Sequence, residues 1–162
     1  MKHEILVRYA APKLAPELGR IMAESFRSAF AEFISKETLD RCAVAENCAA
    51  LLANLPREMT TVAGWLDGAL MGLLVFSRHP EGRTEIEALH SLPESWGRGL
   101  GAAMLEFALE ETNATDVAGL WAFEKNARAR RFYEKHGFRF TGETRVSEFD
   151  GEIEVRYERI LD

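Results

Sequence analysis

The stretch SLPESWGRGLGAAM, Ser91 to Met104, carries three glycines at alternate positions, Gly97, Gly99 and Gly101, directly before a helical pattern. One glycine is enough to turn a chain into a helix, so three in alternation favour a loop whose backbone approaches a ligand closely. A glycine-rich loop between a strand and a helix presents unpaired N–H groups at the positive end of the helix dipole. The stretch therefore predicts an anion site, most naturally for a pyrophosphate.

Two common phosphate-binding motifs do not explain this loop. No Lys-Ser or Lys-Thr follows Gly101, which excludes a P-loop. The letters GRGLGA match the dinucleotide pattern G-x-G-x-x-A, but that motif belongs on the first strand of a fold with several βα units after it. Only about sixty residues follow the motif here, and they end in an antiparallel hairpin. A dinucleotide-binding fold is therefore not predicted.

Hydrophobic periodicity, caps and turn residues divide the rest of the chain into strands and helices. The elements predicted before the loop are a strand over residues 4–10, a helix with an apolar face from Leu14 to Phe26, a helix capped by Ser35 and ending at Cys42, a helix with Cys48, Leu51, Leu52 and Leu55 on one face, a hairpin turning at Asp67-Gly68, and a strand from Thr84 to Leu92. Those after it are a helix with Leu100, Met104, Phe107 and Ala108 inside, a strand from Val117 to Phe123, a helix from Ala127 to His136 ended by Gly137, and a hairpin turning at Asp150-Gly151. The order β-α-α-α-β-β-β-α-β-α-β-β predicts one α/β domain over residues 1–162, a mixed central sheet of about seven strands flanked by helices.

Two segments of this pattern resemble the GNAT superfamily of acyl-CoA-dependent N-acetyltransferases. TEIEALHSLPESWGRGLGAAMLEFALE is similar to the strand, pyrophosphate loop and helix of that family, and LWAFEKNARARRFYEKHGF is similar to its Asn-x-x-Ala-x-x-x-Tyr-x-x-x-Gly-Phe segment. The residues that match the second pattern are Asn126, Ala129, Tyr133, Gly137 and Phe138. Two positions depart from the family: Trp96 stands where Gln or Arg is usual, and Ser91 where Val is usual. The resemblance implies a GNAT-like fold with acetyl-CoA as cosubstrate.

The resemblance also implies which residues bind that cosubstrate. The backbone of Leu89, His90 and Ser91 is expected to pair with the pantetheine arm, and Asn126 is expected to contact the same molecule. The residues implied for the pyrophosphate are Gly97, Arg98, Gly99, Leu100, Gly101 and Ala102. Of the arginines that follow, Arg128, Arg130 and Arg131 either help to hold the 3′-phosphate or form a solvated face.

Acyl transfer to an amine requires two proton transfers. An alkylammonium with a pKa of about 10.4 costs roughly 4.6 kcal/mol to deprotonate at pH 7, so a base or a proton-draining water is needed. Glu85 and Glu87 project from one side of the strand before the loop and are candidate bases, with Glu124 a further candidate. By the same alternation, His90 points to the opposite face and is interpreted as packed or hydrogen-bonded. A backbone N–H of that strand would stabilise the oxyanion.

Tyr133 occupies the position where the family places a tyrosine that protonates or hydrogen-bonds the leaving sulfur. A phenol pKa near 10 lies above a thiol pKa of 8.5, so complete proton donation is uphill by about 2 kcal/mol and a hydrogen bond is the smaller requirement. From spacing alone, Tyr133 also fits a core position beside Phe132 and His136.

The composition and net charge limit the kinds of partner that the protein is expected to bind. A net charge of −6 gives no field that draws the protein to nucleic acid or to an anionic membrane. The N-terminus lacks the apolar segment of a signal peptide, so a cytoplasmic protein with Cys42 and Cys48 reduced is expected, and no motif predicts a metal. The acidic residues around Asp150 either line an acceptor mouth, favouring cationic amines, or keep the hairpin soluble.

The function expected from the sequence is an N-acetyltransferase that moves an acetyl group directly from acetyl-CoA to a primary amine of a small molecule or a peptide. The alternative is an acyl-CoA-binding sensor or interaction module without transfer activity. Tyr133 and the strand carboxylates favour catalysis, whereas Trp96 and Ser91 are the features that keep the alternative open. Relatives of this kind are often dimers, and the resemblance leaves a homodimer as one of the open oligomeric states.

Overall fold

The computed structural model describes residues 2–110 and 116–161, and within these ranges it contains the predicted order of seven strands and five α-helices. The strands are β1 (Ile5–Tyr9), β2 (Met59–Leu66), β3 (Ala69–His79), β4 (Arg83–Ser91), β5 (Val117–Phe123), β6 (Arg139–Val146) and β7 (Ile153–Ile160). The helices are α1 (Ala15–Phe30), α2 (Lys36–Cys42), α3 (Ala45–Ala53), α4 (Leu100–Glu110) and α5 (Ala127–Lys135). In the described ranges, no helix is both long and apolar enough to cross a membrane.

The strands form one mixed sheet in the order β1-β2-β3-β4-β5-β7-β6, with helices on both faces. Leu100 and Met104 of α4 pack on one face together with Tyr133 of α5. Leu18 and Ile21 of α1 pack on the other face, against strands β2 and β3. The predicted α/β architecture with a mixed central sheet is therefore confirmed.

The parallel pair β4 and β5 separates soon after it begins. The two strands pair only from Arg83 with Val117 to Glu85 with Gly119, whereas β4 continues to Ser91. On its other side β4 stays paired with β3 as far as Gly72 and Ser91. Between Glu85 and Ser91, one edge of β4 consequently faces an opening in the sheet.

Capping and turn residues set the ends of several helices and strands. The Ser35 hydroxyl accepts a hydrogen bond from the Thr38 N–H and caps α2, as predicted. Asp67-Gly68 and Asp150-Gly151 form the predicted turns, and all four residues have positive φ. Gly137 ends α5 with φ of 88°. Leu51, in contrast, is 53% exposed, so its predicted place on the inner face of α3 is wrong.

A β-bulge in β4 overturns one prediction of side-chain direction. Val75 of β3 faces Ala88 whereas Phe76 faces Ile86, so Glu87 is an extra residue between them. The bulge shifts the alternation by one residue, because Ile86 packs with α4 and Ala88 packs with α1. His90 therefore lies on the α1 side of the sheet, and the predicted opposite face is wrong.

Candidate active site

Two cavities meet where β4 and β5 separate. The first, of about 240 Å³, lies between the glycine loop, the start of α4, and α5. The second, of about 200 Å³, lies between α1, β5 and the turn that joins β6 to β7. The residues that line both are Phe30, Leu89, His90, Asn126, Ala129 and Tyr133. Groups in one cavity are thus within reach of groups in the other.

The glycine loop has the backbone geometry of an anion site. Gly97 and Gly99 have φ of 73° and 93°, which L side chains rarely adopt, and both line the first cavity. The first turn of α4 follows at once, so Leu100, Gly101 and Ala102 bring helix-terminal N–H groups to the cavity wall. Arg98 differs, because its exposed side chain lies outside this wall. The structure does not bring Arg98 to the cavity.

The two departures from the family pattern belong to one contact. Trp96 Nε1 donates a hydrogen bond to the Ser91 carbonyl at 3.1 Å, and the Arg128 guanidinium lies over the indole at 3.4 Å from the ring centre. Any pantetheine pairing at Ser91 has to share that carbonyl with the indole. Burial lowers the pKa of Arg128, which lines the first cavity. The neighbouring arginines diverge, since Arg130 donates to the Tyr157 hydroxyl and Arg131 lines neither cavity.

Asn126 and Tyr133 occupy the junction of the cavities. Asn126 caps α5, because its Oδ1 accepts a hydrogen bond from the Ala129 N–H at 3.1 Å. Tyr133 is 8% exposed and belongs to the core as well as to both cavity walls. Burial raises the pKa of the Tyr133 phenol, partly opposed by the charge of Arg128. At neutral pH the hydroxyl is therefore protonated and able to donate a hydrogen bond.

Glu85 is held in an ion pair away from both cavities. Its two oxygens accept hydrogen bonds from the Arg156 guanidinium at 2.5 and 2.6 Å, and the Arg156 side chain is only 7% exposed. Gly119 makes room for this pair, since a Cβ there would lie 2.0 Å from Arg156 Nη2. The guanidinium thus occupies both oxygens of the Glu85 carboxylate. The structure therefore does not bring Glu85 to either cavity, and its role as a base stays a prediction.

Glu87 is the carboxylate that β4 presents to the second cavity. Its Oε1 accepts a hydrogen bond from the Ser77 hydroxyl at 2.8 Å, and its side chain lines the cavity wall. The bulge places it past the last residues that pair with β5. Glu124 lines neither cavity, and its carbonyl oxygen accepts a hydrogen bond from Arg130. Of the three candidate carboxylates, only Glu87 borders the opening.

His90 is buried beside α1 and is hydrogen-bonded, as the sequence predicts. Its Nδ1 lies 3.1 Å from the Ser25 hydroxyl, and its ring stacks with Phe26 at 6.1 Å between centres. Burial lowers the pKa of His90 from 6.5 to about 4, so the imidazole is neutral at pH 7.

The sequence reasoning missed the side chains that build the second cavity. Phe26 and Phe30 of α1, Phe123 of β5 and Phe149 of the β6–β7 turn line it together with Trp121. The turn is fixed by Asp150, which accepts hydrogen bonds from the Ser35 N–H at 2.6 Å and from the Thr38 hydroxyl. The spacing of Phe26 and Phe30 on one face of α1 was the available signal, but it does not separate a cavity wall from a core.

Among residues 2–110 and 116–161, no three His, Cys, Asp or Glu side chains are grouped so that they could hold a metal ion. Cys42 and Cys48 are free thiols, and burial raises the pKa of Cys48.

Comparison with known proteins identifies the family. Residues 19–138 match the family model described as Acetyltransferase (GNAT) family, which covers most of the chain. The chain belongs to the GNAT family of acetyltransferases. The predicted family and the predicted class of enzyme, an acyltransferase, are therefore confirmed.

Individual relatives differ in sequence identity and in how much of the chain they cover. A probable N-acetyltransferase of Mycobacterium tuberculosis is 38% identical over 80 residues, which is 48% of this chain and 45% of that protein. A GCN5-related N-acetyltransferase of Rhodopseudomonas palustris has a similar structure, with a TM-score of 0.76, 20% identity and coverage of 96% of this chain and 95% of that one. The PaiA N-acetyltransferase of Thermoplasma acidophilum, solved with coenzyme A, gives a TM-score of 0.72 at 16% identity over 97% of this chain and 99% of that one.

Proposed function

We propose that this chain transfers an acetyl group from acetyl-CoA directly to the primary amine of a small molecule or a peptide, without acylating a side chain of the enzyme. The observation that carries the proposal is the meeting of two cavities at Tyr133, one bordered by an anion-binding loop and the other by a carboxylate. A direct transfer needs both reactants at one point, and the separation of β4 from β5 provides that point.

The first cavity fits acetyl-CoA. The positive φ of Gly97 and Gly99 and the helix-terminal N–H groups of Leu100 to Ala102 suit a pyrophosphate, which these backbone groups would hold. The unpaired edge of β4 from Leu89 to Ser91 would hold the pantetheine amides, with the indole of Trp96 sharing the last carbonyl. Acetyl-CoA supplies the acetyl group as a thioester, whose carbonyl carbon forms the new C–N bond as the C–S bond breaks.

Tyr133 would act on the leaving sulfur. Its phenol is neutral because burial raises its pKa, so it donates a hydrogen bond to the developing thiolate. The same raised pKa opposes complete proton transfer to a thiolate, so the hydrogen bond is its contribution. Asn126 would position Tyr133 indirectly, because it caps the helix that carries the tyrosine.

Glu87 would receive the proton that the ammonium loses, either directly or through a water. It borders the second cavity and its Ser77 partner is uncharged, so its negative charge is available to an ammonium. Glu85 is unsuited to this role because Arg156 holds both its oxygens.

The test is acetyl-CoA-dependent thiol release with a panel of amines that includes arylalkylamines, polyamines, aminoglycosides, amino acids and short peptides. We expect turnover with one class of acceptor, and a loss of about 10²-fold in kcat in Tyr133→Phe with little change in acetyl-CoA affinity. Tyr157→Phe is the matched control, since Tyr157 is a buried phenol that lines neither cavity.

The outcomes separate the two functions expected from the sequence. Equal turnover in Tyr133→Phe and the unchanged protein would reduce Tyr133 to a packing residue. No turnover with any amine, while acetyl-CoA still raises the melting temperature, would favour a binding module over a transferase.

A further inference from the structure

The wall of the second cavity is a cluster of aromatic rings from distant parts of the chain. Phe26 lies 4.7 Å from Phe30 and 5.4 Å from Phe149, and Phe30 lies 5.0 Å from Phe123, all measured between ring centres. The Phe26–Phe30 and Phe30–Phe123 pairs are edge-to-face, an arrangement in which each ring fixes the next. The cavity therefore offers a rigid apolar surface.

Buried apolar side chains and the hydrogen bonds of the β6–β7 turn hold this aromatic cluster in place. Phe33 packs against both Phe30 and Phe123, at 5.7 and 5.3 Å, and Ile34 and Leu39 are buried in the same cluster. The turn that carries Phe149 is bound to α2 through Asp150. The rings are consequently positioned before any acceptor binds, which lowers the entropy lost on binding.

The charged groups at this wall favour a cation next to the rings. Glu87 carries a negative charge opposite the uncharged Ser77 hydroxyl. Glu154 also lines the cavity, but Arg145 binds it at 3.0 Å and lies over the Trp121 ring, so its charge is largely balanced. An ammonium is therefore attracted to the Glu87 side of the cavity, which Tyr133 also borders, while the rest of the acceptor contacts phenylalanines.

We infer that the acceptor is an arylalkylamine, a primary ammonium joined by a short linker to an aromatic ring. Its ring packs against Phe26 and Phe149 and its ammonium lies at Glu87. This inference rests on the proposed acetyl transfer and specifies its substrate. The same chemistry occurs in a free amine and in a peptide whose first residue is aromatic.

The experiment compares kcat/KM for 2-phenylethylamine, n-butylamine, spermidine and a dipeptide amide that begins with phenylalanine. We expect 2-phenylethylamine to exceed n-butylamine and spermidine by at least about tenfold, because burial of the ring adds binding that an alkyl chain or a second charge lacks. A value for the dipeptide amide above that for the free amine assigns the ring to a peptide N-terminus, and a lower value assigns it to a small molecule.

Phe149→Ala tests the wall directly, with Phe140→Ala as the matched control. Phe140 is 44% exposed on the same hairpin and lines neither cavity. We expect the ratio of kcat/KM for 2-phenylethylamine over n-butylamine to fall about tenfold in Phe149→Ala and to stay unchanged in Phe140→Ala. The ratio is insensitive to partial unfolding, because both amines lose the same active fraction, and Phe149→Leu repeats the test if the alanine variant does not fold.

Two results overturn the inference, and they differ from each other. Turnover of n-butylamine or spermidine equal to that of 2-phenylethylamine shows that the rings do not select the acceptor, while acetyl transfer itself stands. No acetylation of any amine refutes the proposed function and the inference with it.

Discussion

The two cavities are built by different means. The largest single contribution to the first comes from residues 89–102, which include the glycine loop and the start of α4, with α5 opposite and three residues of α1 at one side. The second is made of side chains from α1, β4, β5 and the β6–β7 turn, which are far apart in sequence. A site that uses backbone N–H groups depends on glycines at fixed spacing, whereas a site that uses side chains can be built from many residue combinations. We therefore expect changes in the first cavity to affect cosubstrate binding and changes near the second to affect the acceptor.

Gly99→Val should have the largest effect, a loss of acetyl-CoA affinity. Gly99 has φ of 93° and lines the first cavity, and a Cβ there would lie 3.4 Å from Ile5 Cδ1, so a branched side chain strains the loop and shifts the N–H groups at the cavity wall. Loss of one hydrogen bond to a charged group weakens binding by about ten- to one-hundredfold. Isothermal titration with acetyl-CoA measures the change.

Gly142→Val separates backbone strain from lost binding. Gly142 has φ of 92° but stands on β6, with nothing within 4 Å of a Cβ. It should lower stability as Gly99→Val does, by about 1–2 kcal/mol, and leave acetyl-CoA affinity unchanged. Equal affinities in the two variants would remove the glycine loop from the cosubstrate site.

Gly119→Ala should cost much more stability than Gly101→Ala. The new Cβ would lie 2.0 Å from Arg156 Nη2 and 2.9 Å from Glu85 Oε1, so the ion pair must open. Disruption of a largely buried pair costs about 3 kcal/mol. Urea unfolding measures the loss, and Gly101→Ala is the control, because its Cβ would meet Phe132 at an ordinary 3.5 Å. A Gly119→Ala protein as stable as the control would mean that Glu85 and Arg156 contribute little, and Glu85 would again be a candidate base.

The difference between features built by one continuous stretch and features built by distant segments also explains which parts of the structure the sequence predicts. The order of elements, the Ser35 cap, the two Asp-Gly turns and the glycine loop follow from local patterns, and the structure contains them. The Glu85–Arg156 pair joins residues 71 apart, and Asp150 contacts Ser35 across 115 positions. Such contacts depend on the packing of distant segments, and no local pattern encodes them.

The bulge at Glu87 shows how a small irregularity changes a prediction. Alternation along β4 places Glu85 and Glu87 together and His90 opposite, which is correct only for an uninterrupted strand. One extra residue moves His90 to the α1 side, where it meets Ser25. An unpaired residue within a strand leaves no mark in composition, so this orientation required the structure.

His90 should make the stability of the protein depend on acidity. Burial lowers its pKa from 6.5 to about 4, so between these values the unfolded chain binds a proton that the folded protein does not. Its contribution to stability is complete above pH 6.5 and is lost as the pH falls toward 4, by up to about 1 kcal/mol per pH unit. Urea unfolding at pH 7.5, 6 and 5 should show a shallower loss in His90→Gln. His79→Gln removes an exposed imidazole as control, and the same slope in all three proteins would contradict the prediction.

Asp150→Asn should have the smallest effect and should act on the acceptor cavity alone. The ionised Asp150 carboxylate accepts from the Ser35 N–H and the Thr38 hydroxyl, and the Ser35 hydrogen bond is the main cause of its lowered pKa. An amide keeps one oxygen acceptor, so the turn that carries Phe149 loosens and KM for the amine should rise about fivefold. Acetyl-CoA affinity should not change.

Asp67→Asn is a close control for this last substitution. Asp67 also begins an Asp-Gly turn, has φ of 49° and accepts a hydrogen bond from a backbone N–H, that of Glu4 at 2.9 Å. Neither Asp67 nor Gly68 lines a cavity, whereas Phe149, next to Asp150, lines the second one. Steady-state kinetics should show an unchanged amine KM in Asp67→Asn and a raised one in Asp150→Asn. A rise in both would mean that a weakened turn disturbs the whole sheet, and the two cavities would then not respond independently.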